Sequence, residues 1–424
     1  MIYNESKYNT LWDTKKLSQL GEFSRGKSQH RPRNDERLFE GGGYPLVQTG
    51  EIKEANLYIT HHTQEYGEFG LKQSKIWDKD TLCITIAANI AETALLSYPM
   101  CFPDSVVGFR AFKGVSSEKF MYYVFEYIRK AIQNAASGSI QDNINIEYLT
   151  SLDFKVPDKV YQDRIVSILA AIDKKILLNK QINDNLQQQL KLMYDYWFTQ
   201  FDFPNEDGSP YRSSGGQMVS ANSVSYPIPA DWQVGTIFKN RLSSIIKPGV
   251  TPFTTKTYLA TADVNGTSIS TGNTVDFETR ESRANMQPTE NSVWFAKMKK
   301  SIKHLYLNPA MKPLIEESIL STGFCGLQCS EYSFEYIASF IEHSYFETLK
   351  DTLAHGATQE AVNNDDLAGI ALVIPSDEVL RLYHERTKDI YTQMSKNICE
   401  NQELIRLRDW LLPMLMNGQA VVQD

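Results

Sequence analysis

The sequence has little cysteine, no long hydrophobic run and no excess of positive charge. Its five cysteines are too few for a disulfide-stabilised scaffold, and an odd number cannot all form pairs. The longest apolar stretch, residues 82–96, contains Asn89 and Glu92 and is too short to span a membrane. Lysine and arginine number 43 against 51 aspartates and glutamates, so bulk charge cannot hold the chain on nucleic acid. Any phosphate binding must therefore come from local basic patches or from a partner.

The length and composition are those of a globular protein. The 424 residues suffice for two or three domains with separate cores, and 42% of them are hydrophobic. The N-terminal ten residues contain no apolar stretch of the kind found in secretory signals. We therefore expect a soluble, cytoplasmic protein with no membrane partner.

No motif carries catalytic or metal-binding chemistry. Residues 21–28 match the letters of a phosphate-binding loop, but Pro32 would break the helix that such a loop requires. Cys325 and Cys329 form one close pair without a second pair or a suitably spaced histidine, so we expect no metal. Residues 308–311 depart at their third position from an adenine methyltransferase loop. We therefore expect no catalytic residue and no cofactor bound by this chain.

One half of the chain repeats the other. Residues 138–157 and 356–375 align without a gap at an offset of 218 residues. Gly138, Gln141 and Pro157 have identical counterparts in Gly356, Gln359 and Pro375. Because the repeat is half the chain long, it indicates a duplicated domain and not a solenoid.

Each half begins with short apolar runs that are broken by glycine, proline and asparagine. In the first half these runs predict strands at 44–52, 81–90 and 105–112. A helix is predicted at 119–132, with a counterpart at 333–349. The pattern predicts an α/β fold of the mixed α+β kind.

Two long amphipathic helices are predicted, at about 162–197 and 379–412. The first would be a rod of roughly 54 Å. Neither can bury its apolar stripe alone, so we expect the two to pack together as an antiparallel pair. Asn179 lies at an inward position, either as a register device or at a solvated edge. We assign twelve side chains to the helix interface: Ile165, Ile172, Ile176, Ile182, Leu186, Leu190, Met193, Trp197, Ile390, Met394, Ile398 and Ile405.

Two basic patches remain inside this acidic chain, one in each half. Such runs are usually solvated, but a patch in each repeat favours contact with nucleic acid. Arginine and lysine bind phosphates and guanine edges, and asparagine and glutamine can read adenine. We assign the following residues to DNA binding: Arg25, Lys27, Gln29, Arg31, Arg33, Asn89, Gln141, Lys247, Lys297, Lys299, Lys300, Lys303, His304 and Gln359.

The order of these segments resembles the specificity subunit of Type I restriction–modification systems. The most specific part is YDYWFTQFDFPNEDGSPYRSSGG (194–216), and the resemblance extends over essentially the whole chain. The second half departs from the pattern, since residues 261–264 (TADV) stand where the first half has QTGEI (48–52).

The resemblance implies two similar target-recognition domains separated by two long antiparallel helices. The chain would divide into domain 1 (1–157), long helix 1 (158–200), a connection (201–227), domain 2 (228–375) and long helix 2 (376–424).

The resemblance further implies a non-catalytic subunit that reads a bipartite sequence in double-stranded DNA. Two methyltransferase subunits would dock on the long helices, and restriction subunits would join through them. The AdoMet, ATP and Mg that adenine methylation and DNA cleavage need would be bound by those partners. Two alternatives stay open, a self-contained nucleotide-dependent DNA-modifying enzyme and a purely structural scaffold. The first predicts AdoMet or ATP binding by the chain alone, and the second predicts no preferred DNA sequence.

Overall fold

The computed structural model describes residues 2–87, 89–137, 146–221 and 223–422. It divides into two compact units, one made of Met1–Leu177 with Arg406–Asp424 and one made of Leu178–Ile405. Both long helices contribute residues to each unit. The domain boundaries drawn from the sequence stay predictions.

The first unit mixes short strands and helices. Its elements, in chain order, are β1 (Asp13–Lys16), α1 (Leu17–Leu20), β2 (Gly21–Arg25), β3 (Tyr44–Leu46), α2 (Thr49–Glu54), β4 (Tyr58–Ile59), β5 (Gln64–Tyr66), α3 (Glu68–Lys72), β6 (Ile76–Trp77), β7 (Leu82–Thr85), β8 (Thr93–Leu96), β9 (Met100–Cys101), β10 (Val106–Ala111), α4 (Glu118–Ser137), α5 (Ile146–Ser151), β11 (Asp153–Val156) and the start of α6 (Lys159–Tyr194).

Its strands form a main sheet, a smaller sheet and a two-stranded ladder. The main sheet has the order β2-β10-β7-β8-β4, and the smaller one β5-β3-β9-β6. The helix α4 contributes Phe120, Val124 and Phe125 to the core beside the main sheet, and Ile165 of α6 lies in the same core. The ladder β1-β11 joins the beginning of the unit to the segment that leads into α6.

The second unit continues with α6 and a π-helical turn at Asp195–Thr199. Its further elements are β12 (Met218–Val219), β13 (Ile228–Pro229), β14 (Gln233–Thr236), β15 (Ser243–Ile245), β16 (Lys256–Leu259), β17 (Val264–Asn265), β18 (Ser268–Ile269), β19 (Asn273–Val275), β20 (Ala284–Met286), β21 (Ser292–Ala296), β22 (His304–Leu307), α7 (Lys312–Glu317), β23 (Ser318–Ser321), β24 (Phe324–Cys329), α8 (Phe334–Glu342), α9 (Ser344–Leu353), β25 (Ala371–Ile374) and α10 (Asp377–Met416).

The two units share one strand topology. The order β15-β24-β21-β22 in the second unit matches β2-β10-β7-β8 in the first, and β19-β16-β23-β20 matches β5-β3-β9-β6. The strand directions agree too, since β3 and β9 are parallel and so are β16 and β23. The ladder β14-β25 corresponds to β1-β11. The mixed α/β class and the internal duplication are therefore confirmed.

Capping residues, proline and glycine mark the ends of the long helices. Asp158 precedes α6, and its Oδ1 accepts a hydrogen bond from the Tyr161 N–H at 2.8 Å, which satisfies a donor of the first turn. Pro375 precedes α10 by two residues, and Gly418 follows it with a φ of 78°. Across the described residues, no helix is both long and apolar enough to cross a membrane.

The structure differs from the predicted elements at several points. Of the strand expected at 44–52, only Tyr44–Leu46 pairs as a strand, because Thr49–Glu54 forms the helix α2. The Glu51 side chain accepts the Gln48 N–H at 2.6 Å, which favours a helix start there. The single helix expected at 333–349 is two helices, α8 and α9, separated at His343, whose ψ of 137° is extended.

Candidate nucleic-acid interface

The first basic loop comprises residues 26–35 and follows β2 directly. Its backbone is held firmly, because the Gly26 N–H donates to Val106 O at 2.8 Å and the Lys27 N–H donates to Phe102 O at 3.2 Å. A Cβ at Gly26 would collide with the backbone oxygen of Pro103, so this close approach favours glycine. The first basic loop and the end of β2 expose five of the side chains assigned to DNA binding: Arg25, Lys27, Gln29, Arg31 and Arg33.

Acidic side chains hold some of these cations in place. Asp104 Oδ1 lies 2.6 Å from Arg33 Nη2, and Asp104 Oδ2 lies 3.5 Å from Arg31 Nη2. The side-chain hydrogen bonds from Arg37 and His30 keep the pKa of Asp35 well below its usual value. The loop is therefore braced by ion pairs, while the side chains of Arg31 and Arg33 are each more than half exposed.

The basic hairpin of the second unit comprises residues 297–303, between β21 and β22. Lys300 is exposed, and Lys297 and Lys299 are half-buried. Lys299 Nζ pairs with Glu360 Oε2 at 2.9 Å. Lys303 donates a hydrogen bond to the backbone oxygen of Thr261 and so faces its own unit.

His304 does not share the surface position of its neighbours. It is the first residue of β22 and is 1% exposed. Its ring nitrogens lie 2.9 Å from carboxylate oxygens of Glu342 and Glu347. Burial lowers the pKa of His304, but the hydrogen bonds to these two carboxylates outweigh it and raise the net pKa above the ordinary histidine value.

The remaining assigned residues lie in several places. The exposed Gln359 is next to the basic hairpin, because the Lys299 N–H donates to Glu360 O at 2.9 Å. Asn89 is in the loop after β7, where Lys53 Nζ donates to its Oδ1 at 3.4 Å. Lys247 is exposed in the loop after β15. Gln141 lies outside the described residues.

The two basic patches are not on equivalent loops. The counterpart of the basic hairpin in the first unit is the loop between β7 and β8, which carries Asn89. The counterpart of the first basic loop is the segment after β15, which carries Lys247. The repeat therefore does not explain why each half has a patch, contrary to the reasoning from the sequence alone.

Two pairs of buried asparagines join α6 to α10 in the second unit. Asn179 Nδ2 donates to Asn401 Oδ1 at 3.0 Å, and Asn397 Nδ2 donates to Asn183 Oδ1 at 2.8 Å. Residue numbers rise in α6 as they fall in α10, so the helices are antiparallel. Asn179 is 0% exposed, which excludes the solvated edge left open by the sequence. Asn397 and Asn401 follow Asn179 and Asn183 by the repeat offset of 218, a signal that could have identified them.

In the first unit an ion pair joins the same two helices. Arg408 Nη1 donates to Asp173 Oδ1 at 3.1 Å, and the Tyr123 hydroxyl donates to Asp173 Oδ2 at 2.6 Å. The Asp173 side chain is 9% exposed and that of Arg408 28%. Sequence reasoning missed all three residues, because only the tertiary structure brings α4, α6 and α10 together here.

Most of the twelve side chains assigned to the helix interface are wholly or partly buried. Ile182 is the exception at 38% exposure, because the neighbouring Asn183 takes the inward position. The buried members are Ile165, Ile172, Ile176, Leu190, Trp197 and Met394. The half-buried members are Leu186, Met193, Ile390, Ile398 and Ile405.

Comparison with known proteins finds a family model that matches part of this chain. Residues 9–188 match the family model described as Type I restriction modification DNA specificity domain. The first half of the chain is therefore similar to that family. The resemblance to Type I specificity subunits that the sequence indicated is thereby confirmed.

Two curated relatives extend the similarity along the chain. The MjaIX specificity subunit of Methanocaldococcus jannaschii is 21% identical over 430 residues, which cover 97% of this chain and 94% of the relative. The HindI specificity subunit of Haemophilus influenzae is 23% identical over 353 residues, which cover 68% of this chain and 73% of the relative.

A solved structure has the same fold as this chain. It is the S subunit of a Type I restriction–modification system from M. genitalium, with a TM-score of 0.54 and 14% identity. The match covers 98% of this chain and 99% of the other.

Proposed function

We propose that this chain is the non-catalytic subunit that gives a Type I restriction–modification complex its DNA sequence specificity. Each unit would read one half of a bipartite target in double-stranded DNA. The single observation that carries the proposal is the match of residues 9–188 to a DNA specificity domain. The duplicated topology extends that role to the second unit.

The proposed DNA contacts are surface cations and amides in, or next to, the first basic loop and the basic hairpin. In the first unit they are Arg25, Lys27, Gln29, Arg31 and Arg33. In the second unit they are Lys297, Lys299, Lys300 and Gln359. Charged groups on loops that a rigid sheet supports can meet phosphates and base edges without a large ordering cost. His304 is left out because it is buried, and Lys303 because it binds Thr261.

The long helices are the proposed docking sites for two methyltransferase subunits, through which restriction subunits would join. Both helices expose large apolar side chains that their own units leave uncovered. Leu178 and Leu192 of α6 are 47% and 70% exposed, and Leu407 and Trp410 of α10 are 43% and 58% exposed. Exposed aromatic and aliphatic side chains of this size favour a protein partner. AdoMet, ATP and Mg would be bound by the partners and not by this chain.

The alternative of a self-contained nucleotide-dependent enzyme receives no support from the geometry of residues 21–28. A phosphate-binding loop lies between a strand and the N-terminus of a helix. Here Gly21–Arg25 is itself strand β2, and the residues after Ser28 continue as the first basic loop. The helical turn that follows, Glu36–Leu38, has three residues.

Random-site selection with the chain and its co-expressed methyltransferase tests the proposal. We expect two short conserved half-sites separated by a spacer of unread bases. AdoMet consumption should require the methyltransferase. Selection of no motif would favour a structural scaffold, and AdoMet turnover by the isolated chain would favour an enzyme.

A further inference from the structure

A buried lysine lies directly beneath the basic hairpin 297–303. Lys350 of α9 is 0% exposed. Its Nζ donates to Ala296 O at 3.2 Å and to Ser301 O at 3.1 Å, and it forms an ion pair with Glu347 Oε2 at 2.6 Å. The two carbonyl oxygens therefore accept two of the three donors of the ammonium group, and the Glu347 carboxylate supplies the opposite charge.

The two carbonyl partners of Lys350 lie on opposite sides of Lys300, the residue at the tip of the hairpin. Ala296 is the last residue of β21, and Ser301 comes three residues before β22 begins at His304. One ammonium group therefore holds the outgoing and the returning strands of the hairpin together. A buried cation with these partners is costly to lose, because its removal leaves two carbonyls and a carboxylate without it.

The next residue of the same helix holds the tip of the hairpin. The Lys300 N–H donates to Asp351 Oδ1 at 2.9 Å. Lys300 has a φ of 56°, in the left-handed region that a non-glycine residue rarely adopts. Such a conformation persists where its surroundings hold it, and the Asp351 carboxylate is one such contact. The Lys300 side chain stays exposed.

Lys350 and Asp351 together form an anchor for the hairpin. Further charged groups surround Lys350 on the side away from the hairpin. Glu347 binds both Lys350 and His304, and His304 also binds Glu342. Burial raises the pKa of Glu347, but the hydrogen bonds from His304 and Lys350 outweigh it and lower the net pKa below the usual value. The carboxylate is thereby kept charged beneath the ammonium group of Lys350.

We infer that Lys350 and Asp351 are positioning residues that hold the 297–303 hairpin in the conformation in which its lysines bind DNA. The inference rests on the proposed function and deepens it. Neither residue needs to touch DNA. Lys350 connects the end of β21 to the segment just after the tip, and Asp351 holds the tip that presents Lys300. The ligand is the phosphate backbone of double-stranded DNA at the half-site read by the second unit.

Limited trypsin digestion of the full-length chain tests the anchor without DNA. The hairpin offers trypsin Lys297, Lys299, Lys300 and Lys303, and mass spectrometry identifies each cut. In Lys350→Met and Asp351→Ala we expect cleavage there to be roughly tenfold faster. Asp351→Asn keeps an oxygen acceptor for the Lys300 N–H and should be cut at the wild-type rate. Lys388→Met is the matched control, because Lys388 pairs on its own helix with Glu385.

DNA binding by the same variants, assembled with the methyltransferase, tests the functional part. The probe is the duplex obtained by site selection, with either half-site scrambled in turn. Lys350→Met and Asp351→Ala should weaken binding roughly tenfold through the second unit's half-site alone, and should lower the salt dependence there. Asp351→Asn should restore both. A merely structural role would not give this rescue together with a change confined to one half-site.

The outcomes separate this inference from the proposed function. Faster cleavage with unchanged DNA affinity would overturn the positioning role while the DNA-reading function stands. Unchanged cleavage in both variants would overturn the anchor. If wild type selects no DNA sequence, the proposed function fails first, and the positioning role fails with it whatever trypsin shows. Should Lys350→Met not fold, Asp351→Ala and Asp351→Asn decide the matter, because Asp351 is only partly buried.

Discussion

In the first unit the proposed DNA-contacting cations lie at the end of β2 and in the loop after it, whereas in the second they lie between β21 and β22. The strands of the two units are nevertheless connected in the same order. At the position equivalent to the basic hairpin, the first unit has the loop 86–92, which contains no cation and one acid, Glu92. The strand order of the sheets is thus repeated, whereas the loops between the strands differ in where they carry exposed positive charge.

The units also differ in how α6 and α10 meet. In the second unit buried asparagine amides pair with each other, and Asn179 also donates to the Glu400 carboxylate at 2.7 Å. In the first unit the buried polar contact is the ion pair of Asp173 with Arg408. The contact between Asn183 and Asn397 needs no counter-charge, whereas a buried carboxylate depends on its cation. The same helix pair should therefore respond differently to salt and to substitution in each unit.

The largest expected effect comes from removing charge from one unit at a time. Alanine at Arg25, Lys27 and Arg33 should weaken the first half-site, and alanine at Lys297, Lys299 and Lys300 the second. Each lost phosphate contact lowers the salt dependence of binding by about one, so each triple variant should lose about three. Binding measured from low to moderate salt gives this slope.

The controls for this experiment are two surface lysines on helices. Lys130→Ala in the first unit and Lys388→Ala in the second should leave both half-sites and the salt slope unchanged. If both triple variants weakened the same half-site, the assignment of one half-site to each unit would be wrong.

A smaller effect is expected from Asp173→Ala in the first unit. The substitution leaves Arg408 and the Tyr123 hydroxyl without their shared partner. We expect a loss of about 2–3 kcal/mol in the free energy of unfolding, at the low end for a buried pair because Arg408 is 28% exposed. Urea denaturation measures it. Asp409→Ala is the control, since Asp409 pairs with the same arginine at the surface and should cost under about 1 kcal/mol.

In the second unit Asn183→Ala should cost about 1–2 kcal/mol, because it removes the bonds with Asn397 and with Met394 O. The double change Asn183→Leu with Asn397→Leu should recover much of that loss, since both polar partners are replaced together. Asn185→Ala, at an exposed position of α6, is the control. If the loss in the free energy of unfolding caused by Asn183→Ala became smaller in high salt, the expected difference from Asp173→Ala would be wrong, because salt does not screen contacts between neutral amides.

The smallest effect concerns His304, because the described residues of the first unit include no buried histidine. Its pKa is raised on folding by Glu342 and Glu347, with Lys350 and Tyr306 completing the charged and titratable surroundings. The stabilisation is fully present below the unfolded-state pKa of about 6.5 and is lost as the pH rises through the higher folded-state pKa. Hydrogen exchange of β22, corrected for intrinsic rates, should show protection falling over that window. His304→Gln should remove the pH dependence, and an unchanged profile would exclude His304 as its source.

Parts of the fold were predictable because they depend on periodicity. The apolar stripes predicted two long helices, which the structure has as Lys159–Tyr194 and Asp377–Met416. The repeat at 218 residues predicted the duplication that the strand orders confirm. The expectation for 44–52 was wrong beyond Leu46, because a helix start at Gln48 overrides the apolar run.

The candidate interface was less predictable, since exposure depends on contacts between distant residues. Lys303 and His304 have the composition of a basic patch but are held by Thr261, Glu342 and Glu347. Ile182 fits the apolar stripe, yet Asn183 is the residue that faces α10. A polar contact of that kind is invisible to a hydrophobic pattern.

The sequence by itself determined the duplication, the two long helices and the family resemblance, because repeat spacing, helical period and local motifs are properties of nearby residues. Only the tertiary structure decided which loop of each unit carries exposed charge, and that Lys350 lies beneath the hairpin 297–303. These features depend on which strands become neighbours in a sheet. Such pairings join residues that are far apart in the chain, and the energy of burying a charge is fixed only when its partners are in place.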